Sequence, residues 1–145
     1  MKEPIAYAEH PRLIQMMIDI GRVEQQISRL RDSISRLESR KYRITSVLTG
    51  MPHGGQKADI NDINGDIEIL TAQIEALAQQ RARMLCELDT DTDGEALRPV
   101  EYAALKFRYI YKYRYEDIAE ILEVSIATVN RDIKKGYKKL KMIGK

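Results

Sequence analysis

From Leu13 onward, apolar side chains recur in alternating steps of three and four: Leu13, Met16, Ile20, Val23, Ile27, Leu30, Ile34 and Leu37, then Lys41, Ile44 and Leu48. Ten of these eleven positions are apolar. A repeat of 3.5 residues sustained this long keeps one stripe of a helix turned toward a partner helix, the mark of a coiled-coil seam. It predicts a helix roughly 54 Å long, at a rise of 1.5 Å per residue. A second register starts at Ile60 and continues through Ile63, Ile67, Leu70, Ile74, Leu77, Arg81, Met84 and Leu88, with eight of nine positions apolar. Between the two, residues 49–59 hold three glycines and Pro52, which end helices through backbone entropy and a missing donor. Two long helices joined by so short a breaker fold back on one another, so an antiparallel hairpin is expected, with Ile20 near Leu88 and Leu48 near Ile60. Lys41 and Arg81 each interrupt a seam once; such basic groups fix register at some cost in stability and are expected to snorkel to solvent. A two-helix hairpin leaves the flanks of its seam open, and a homodimer that pairs two hairpins into a four-helix bundle is expected.

Composition narrows the function classes. The chain has 145 residues, 32% of them charged and 43% hydrophobic, with one Phe and no Trp, a balance that suits long helices and excludes multidomain enzymes. The single Cys86 cannot form an internal disulfide, and His10 and His53 cannot build a zinc site alone. Cys86 falls at an outward position of the second helix, His10 in the N-terminal tail and His53 in the glycine-rich loop, with no strand-turn-helix to carry a nucleophile. Gly54-Gly55-Gln56-Lys57 lacks the spacing of a phosphate-binding loop. No run of 18 apolar residues exists, and the first twelve residues carry charge and proline where a signal peptide needs an apolar stretch. A cytoplasmic protein that is not an enzyme, with no cofactor and no membrane partner, is the expectation.

The formal net charge of +2 conceals a division. Residues 98–145 hold twelve Lys and Arg against six acids, a net of +6, and residues 1–97 carry −4. That asymmetry is the footprint of a polyanion-binding module attached to another element. Glu87 to Glu95 contains five acids and no base, which reads as a solvated linker. Asp89, Asp91 and Asp93-Gly94 repeat the first half of an EF-hand loop, but Val100 stands where the bidentate glutamate should close the site, so calcium is not expected. The organisation is therefore a tail over 1–12, a hairpin over 13–88 with its loop at 49–59, an acidic linker over 89–97 and a basic module over 98–145. The fold class is all-α: a long antiparallel coiled-coil hairpin followed by a small helix-turn-helix domain.

The basic module also holds seven of the nine aromatic residues. Phe107 to Tyr115 alternate at period two, as a base-stacking strand would, yet Pro99 suits a first helical turn and Val100, Ala103, Ala104, Phe107 and Ile110 continue at helical spacing. The aromatics are expected to wrap a helix and pack a small core. Ile118, Ala119 and Leu122 then form one helical face, Glu123-Val124 a short turn, and Ser125 an N-cap for a further helix. This is the pattern of a helix-turn-helix, whose second helix enters the major groove of DNA.

The sequence Leu105-x-x-Arg-Tyr-Ile-x5-Glu-Asp-Ile-Ala-Glu-Ile-Leu-x-Val-Ser-x-x-Thr-Val-x-Arg-x-Ile-x-x-Gly-Tyr-x-Lys-Leu140 resembles region 4 of bacterial sigma factors over about the last 45 residues. With the hairpin and its Met51-Pro-x-Gly-Gly55 loop, the chain is similar to small phage and prophage transcriptional regulators of Gram-positive bacteria that end in this module. The resemblance implies binding of double-stranded DNA near promoters and contact with RNA polymerase. Two positions depart from the motif: Glu123 where Gly often makes the turn, and Arg114 where Ser or Thr usually caps the first helix of the pair.

Helical geometry, at about 100° per residue, divides the last helix. Ile126, Val129, Ile133, Tyr137 and Leu140 fall on one stripe, and Ala127, Asn130, Arg131, Lys134 and Lys138 on the opposite one. Base contacts are assigned to Ala127, Thr128, Asn130, Arg131 and Lys134, where Asn suits adenine and Arg guanine. Phosphate contacts are assigned to Arg114, Tyr115, Ser125, Lys135, Lys138 and Lys139. A DNA-binding transcriptional regulator is the leading expectation. A small terminase subunit recognising packaging-site DNA, which would form a ring, and a coiled-coil protein-interaction module with an acidic partner are the alternatives.

Overall fold

A computed structural model describes residues 10–48, 54–92 and 97–143. Among them there are five helices and no strand: α1 (Arg12–Leu48), α2 (Gly54–Thr92), α3 (Pro99–Tyr109), α4 (Tyr115–Leu122) and α5 (Ile126–Ile143). The all-α expectation holds. The long helices α1 and α2 pack together and run antiparallel, since Arg12 pairs with Asp91 and Glu24 with Arg81. Helix α2 begins at Gly54 and ends at Thr92, so 54–59 of the expected loop and 89–92 of the expected linker are helical. The rest of both segments, apart from Leu97, lies outside the described residues.

The chain forms two compact units, Gln25–Gln80 and the remainder before and after it. In Gln25–Gln80, the stripe read from the sequence is also the least exposed one: Ile27 and Ile63 are buried, and Leu30, Ile34, Leu37, Lys41, Ile67, Leu70, Ile74 and Leu77 half-buried. Half-burial is what a seam with a single neighbouring helix produces.

The other unit has one core to which five helices contribute. Leu13, Ile14, Met17 and Ile20 of α1 and Leu88 of α2 join Ala104, Leu105 and Ile110 of α3, Ile118 and Ala119 of α4, and Val129, Ile133 and Leu140 of α5. The base of the hairpin is therefore part of the module's core, a different division from the one drawn at residues 88 and 98. Ile20 and Leu88 share this core as expected; the side chain of Leu48 lies outside the described residues. Close approach of α1 to α3 depends on Gly21, where a Cβ would stand 2.6 Å from the carbonyl oxygen of Ile110.

Two of the five acids expected in a solvated linker instead tie elements together, and Glu95 lies outside the described residues. Asp91 accepts from Arg12 at 3.0 Å, and Asp89 accepts from the hydroxyl of Tyr102. Asp93 lies outside the described residues. Arg81 does not snorkel: its guanidinium pairs with Glu24 across the two helices.

Candidate nucleic-acid interface

Helix α4 starts at Tyr115 with Arg114 as its N-cap, in extended geometry and without a side-chain cap; the Arg114 side chain instead reaches Asp117 at 3.3 Å. The helix ends on Glu123, which adopts the left-handed conformation at φ 57° and ψ 46°. The Glu123 amide donates to Glu120 and the Val124 amide to Ala119, so glutamate occupies the place that glycine favours in this type of helix end. The turn keeps the helix-turn-helix geometry at a cost in backbone strain. Lys112, at φ 58°, makes the same kind of reversal between α3 and α4.

Ser125 caps α5 as expected. Its Oγ accepts from the amide of Thr128 at 3.1 Å and shares a proton with Oγ1 of Thr128 at 2.9 Å. One hydroxyl proton of the pair is left over for an outside acceptor. Nη2 of Arg131 donates to Thr128 at 3.3 Å, so cap, threonine and arginine form a chain along the exposed start of the helix.

Burial divides α5 nearly as the helical angle does. Val129, Ile133 and Leu140 are buried and Tyr137 half-buried, whereas Ala127, Arg131, Lys134, Lys135 and Lys138 are exposed and Thr128 and Asn130 half-buried. Gly136 lets α5 lie close to α3, for a Cβ there would meet Cδ1 of Leu105 at 2.7 Å. Ile126 differs from its expected place in the buried stripe: it is 50% exposed, because the first turn of α5 projects beyond the core.

Of the residues assigned to phosphate, Tyr115, Lys138 and the base-assigned Lys134 come together. They line a groove of about 420 Å³ with Tyr109, Tyr137, Ile133 and Lys141. The guanidinium of Arg108 lies 5.0 Å from the Tyr115 ring centre. His10 closes on the same tyrosines, with Nδ1 at 3.0 Å from the Tyr137 hydroxyl and its ring edge-on to Tyr109. Burial and the neighbouring Tyr137 and Tyr115 hydroxyls raise the pKa of Tyr109, so it stays a neutral donor. Lys139 stands apart, donating at 2.7 Å to the buried carboxylate of Glu101. Lys141 and Tyr109 were missed by sequence reasoning; the row Lys134, Lys138, Lys141, at steps of four and three, was the available signal for the first.

Three further aromatics form a separate cluster. Phe107 and Tyr113 stack at 5.7 Å with Tyr111 beside them, held by the turn that follows α3. Tyr111 and Tyr113 are exposed, so only part of the aromatic run packs a core.

A basic face on the second helix of a helix-turn-helix is built to meet a polyanion. Residues 95–140 match the family model for Sigma-70, region 4. No curated protein and no solved structure matches the chain. The match to sigma region 4 covers α3, α4 and α5 up to Leu140, so the C-terminal part of the chain carries a DNA-binding type of helix-turn-helix. Among the described residues no helix is long and apolar enough to cross a membrane.

Proposed function

We propose that this protein is a sequence-specific DNA-binding transcriptional regulator of the phage or prophage type, which lays α5 in the major groove near promoters. The observation that carries the proposal is the face of α5 on which exposed Ala127, Arg131, Lys134 and Lys138 and half-buried Asn130 stand opposite buried Val129, Ile133 and Leu140. Asn130 and Arg131 have the donors and acceptors to read adenine and guanine, and the lysines suit phosphates. The groove between Tyr115, Tyr137 and Lys138 extends this face along one strand, with lysines for phosphate and tyrosine rings for sugar.

The similarity to sigma region 4 supports contact with RNA polymerase, and the half-open seam supports a homodimer. The protein acts in the cytoplasm, without catalysis or cofactor.

Selection of bound duplexes from a random library by the full-length protein, near physiological salt, tests this proposal. A short enriched motif, single or as two spaced half-sites, is the expected result. Retention without enrichment would favour DNA packaging, and no retention would favour a protein partner for the basic module.

A further inference from the structure

Ile126 occupies the first turn of α5 with half of its surface in solvent. Its neighbours at steps of four are Asn130 and Lys134, so it heads a row that borders the face assigned to DNA. Ala127, also exposed, stands beside it. The remaining groups of the turn are polar and already arranged: the Ser125 and Thr128 hydroxyls bond each other, and Arg131 leans on Thr128. An apolar step is thus set among polar groups at the end of the helix that, in a helix-turn-helix, comes nearest to base edges.

The major groove offers such a step one main apolar target. Guanine, adenine and cytosine present ring nitrogens, carbonyls and amines there, and thymine adds its C5 methyl group. We infer that Ile126, assisted by Ala127, determines specificity by packing against a thymine methyl. This rests on the DNA-binding function proposed above. One helical turn separates Ile126 from Asn130, a rise of about 6 Å. The thymine therefore lies within about two base pairs of the base read by Asn130, at 3.4 Å per step.

Deoxyuridine differs from thymidine only by that methyl group, which permits a direct test. The full-length protein selects duplexes from two random libraries, one built with thymidine and one with deoxyuridine, and the bound motif is then synthesised with either base at each thymine. One thymine position should be enriched in the first library alone. Replacing it with deoxyuridine should weaken binding about fourfold, the equivalent of about 0.8 kcal/mol for one buried carbon. Ile126→Ser and Ile126→Ala should bind both duplexes within about twofold of each other, with melting temperatures close to the parent's because the side chain is half exposed. DNA binding that is indifferent to the methyl group, or a deoxyuridine loss undiminished in both variants, overturns the inference while leaving DNA binding in place. Failure to retain either library overturns the DNA-binding proposal, and this inference falls with it.

Discussion

Nζ of Lys139 lies 2.7 Å from Oε1 of Glu101, a carboxylate with 1% of its side chain exposed, so a lysine assigned to phosphate from the sequence is engaged in joining α5 to α3. Burial alone would raise the pKa of Glu101. The bond from Lys139, the amide of Arg98 at 3.0 Å and the nearby positive charge outweigh it and hold the pKa below its ordinary value of 4.5. The unfolded chain thus takes up the proton more readily than the folded one. The stabilisation is complete above the ordinary carboxylate range and is lost as pH falls through the lowered value. Glu101→Gln should cost about 1–3 kcal/mol at neutral pH and flatten the fall in melting temperature on acidification. Parallel melting curves for parent and variant across that range would contradict this.

Glu123 holds a conformation that costs a side-chain-bearing residue about 1–2 kcal/mol. The hydrogen bond its amide donates to the Glu120 carbonyl is made by the backbone and survives substitution. Glu123→Gly should therefore raise stability by about 0.5–1 kcal/mol, despite the greater freedom of glycine in the unfolded chain. Chemical denaturation reads the change as a higher midpoint with an unchanged slope; an equal or lower midpoint would mean that the Glu123 side chain has a stabilising role.

Three helical glycines separate propensity from packing. Alanine in place of glycine stabilises a free helix by about 1 kcal/mol, and Gly65, with nothing within 4 Å of a new Cβ, should show that gain. At Gly21 the new atom meets backbone oxygen, which no rotamer change relieves, so Gly21→Ala should destabilise by about 1–3 kcal/mol. Gly136→Ala should fall between, because it meets the end of the Leu105 side chain. A Gly21→Ala variant as stable as Gly65→Ala would show that α1 is not pressed against α3.

The hairpin was legible because a 3.5-residue period maps directly onto burial: Ile27 is buried and Leu30, Ile34 and Leu37 half-buried, while most residues between them are exposed. So was the helix-turn-helix, whose Ile118, Ala119, Val129 and Ile133 pack as read. What local pattern could not supply was partnership across long sequence separations. Arg81 reads as an interruption until Glu24 is placed opposite it, and Asp89 and Asp91 read as linker until Tyr102 and Arg12 arrive. Lys139 and Lys138 are adjacent basic residues in the sequence, and only the buried Glu101 distinguishes their roles. Ile126 was misplaced because a helical stripe is continuous in angle, whereas the core ends one turn short of it.

The seam over Gln25–Gln80 predicts self-association. Its apolar positions are mostly half-buried, and Tyr42 and Ile69 are exposed outside it. A second hairpin would cover such surface by forming a four-helix bundle. Sedimentation equilibrium at concentrations on the order of tens of micromolar should show a dimer, and Ile69→Glu should shift it toward monomer; monomer alone for the parent protein would end the dimer proposal.

Arg131, Lys138 and Lys139 should respond differently to loss of charge. Arg131 is exposed, braced by Thr128 and equipped for a two-point contact with guanine. Arg131→Ala should therefore cost about 1–3 kcal/mol in binding and relax one base position of the selected motif. Lys138, in the tyrosine-lined groove, suits a phosphate, so Lys138→Ala should weaken binding to all sequences alike and lower the salt dependence by about one counterion. Lys139→Ala should act chiefly on stability by leaving the Glu101 carboxylate buried without its cation. Binding isotherms over a salt series, with a thermal melt for each variant, separate the three effects. A sequence-neutral Arg131→Ala would remove that residue from base reading, and a Lys139→Ala variant that melts like the parent but binds DNA weakly would return Lys139 to the phosphate-contacting set.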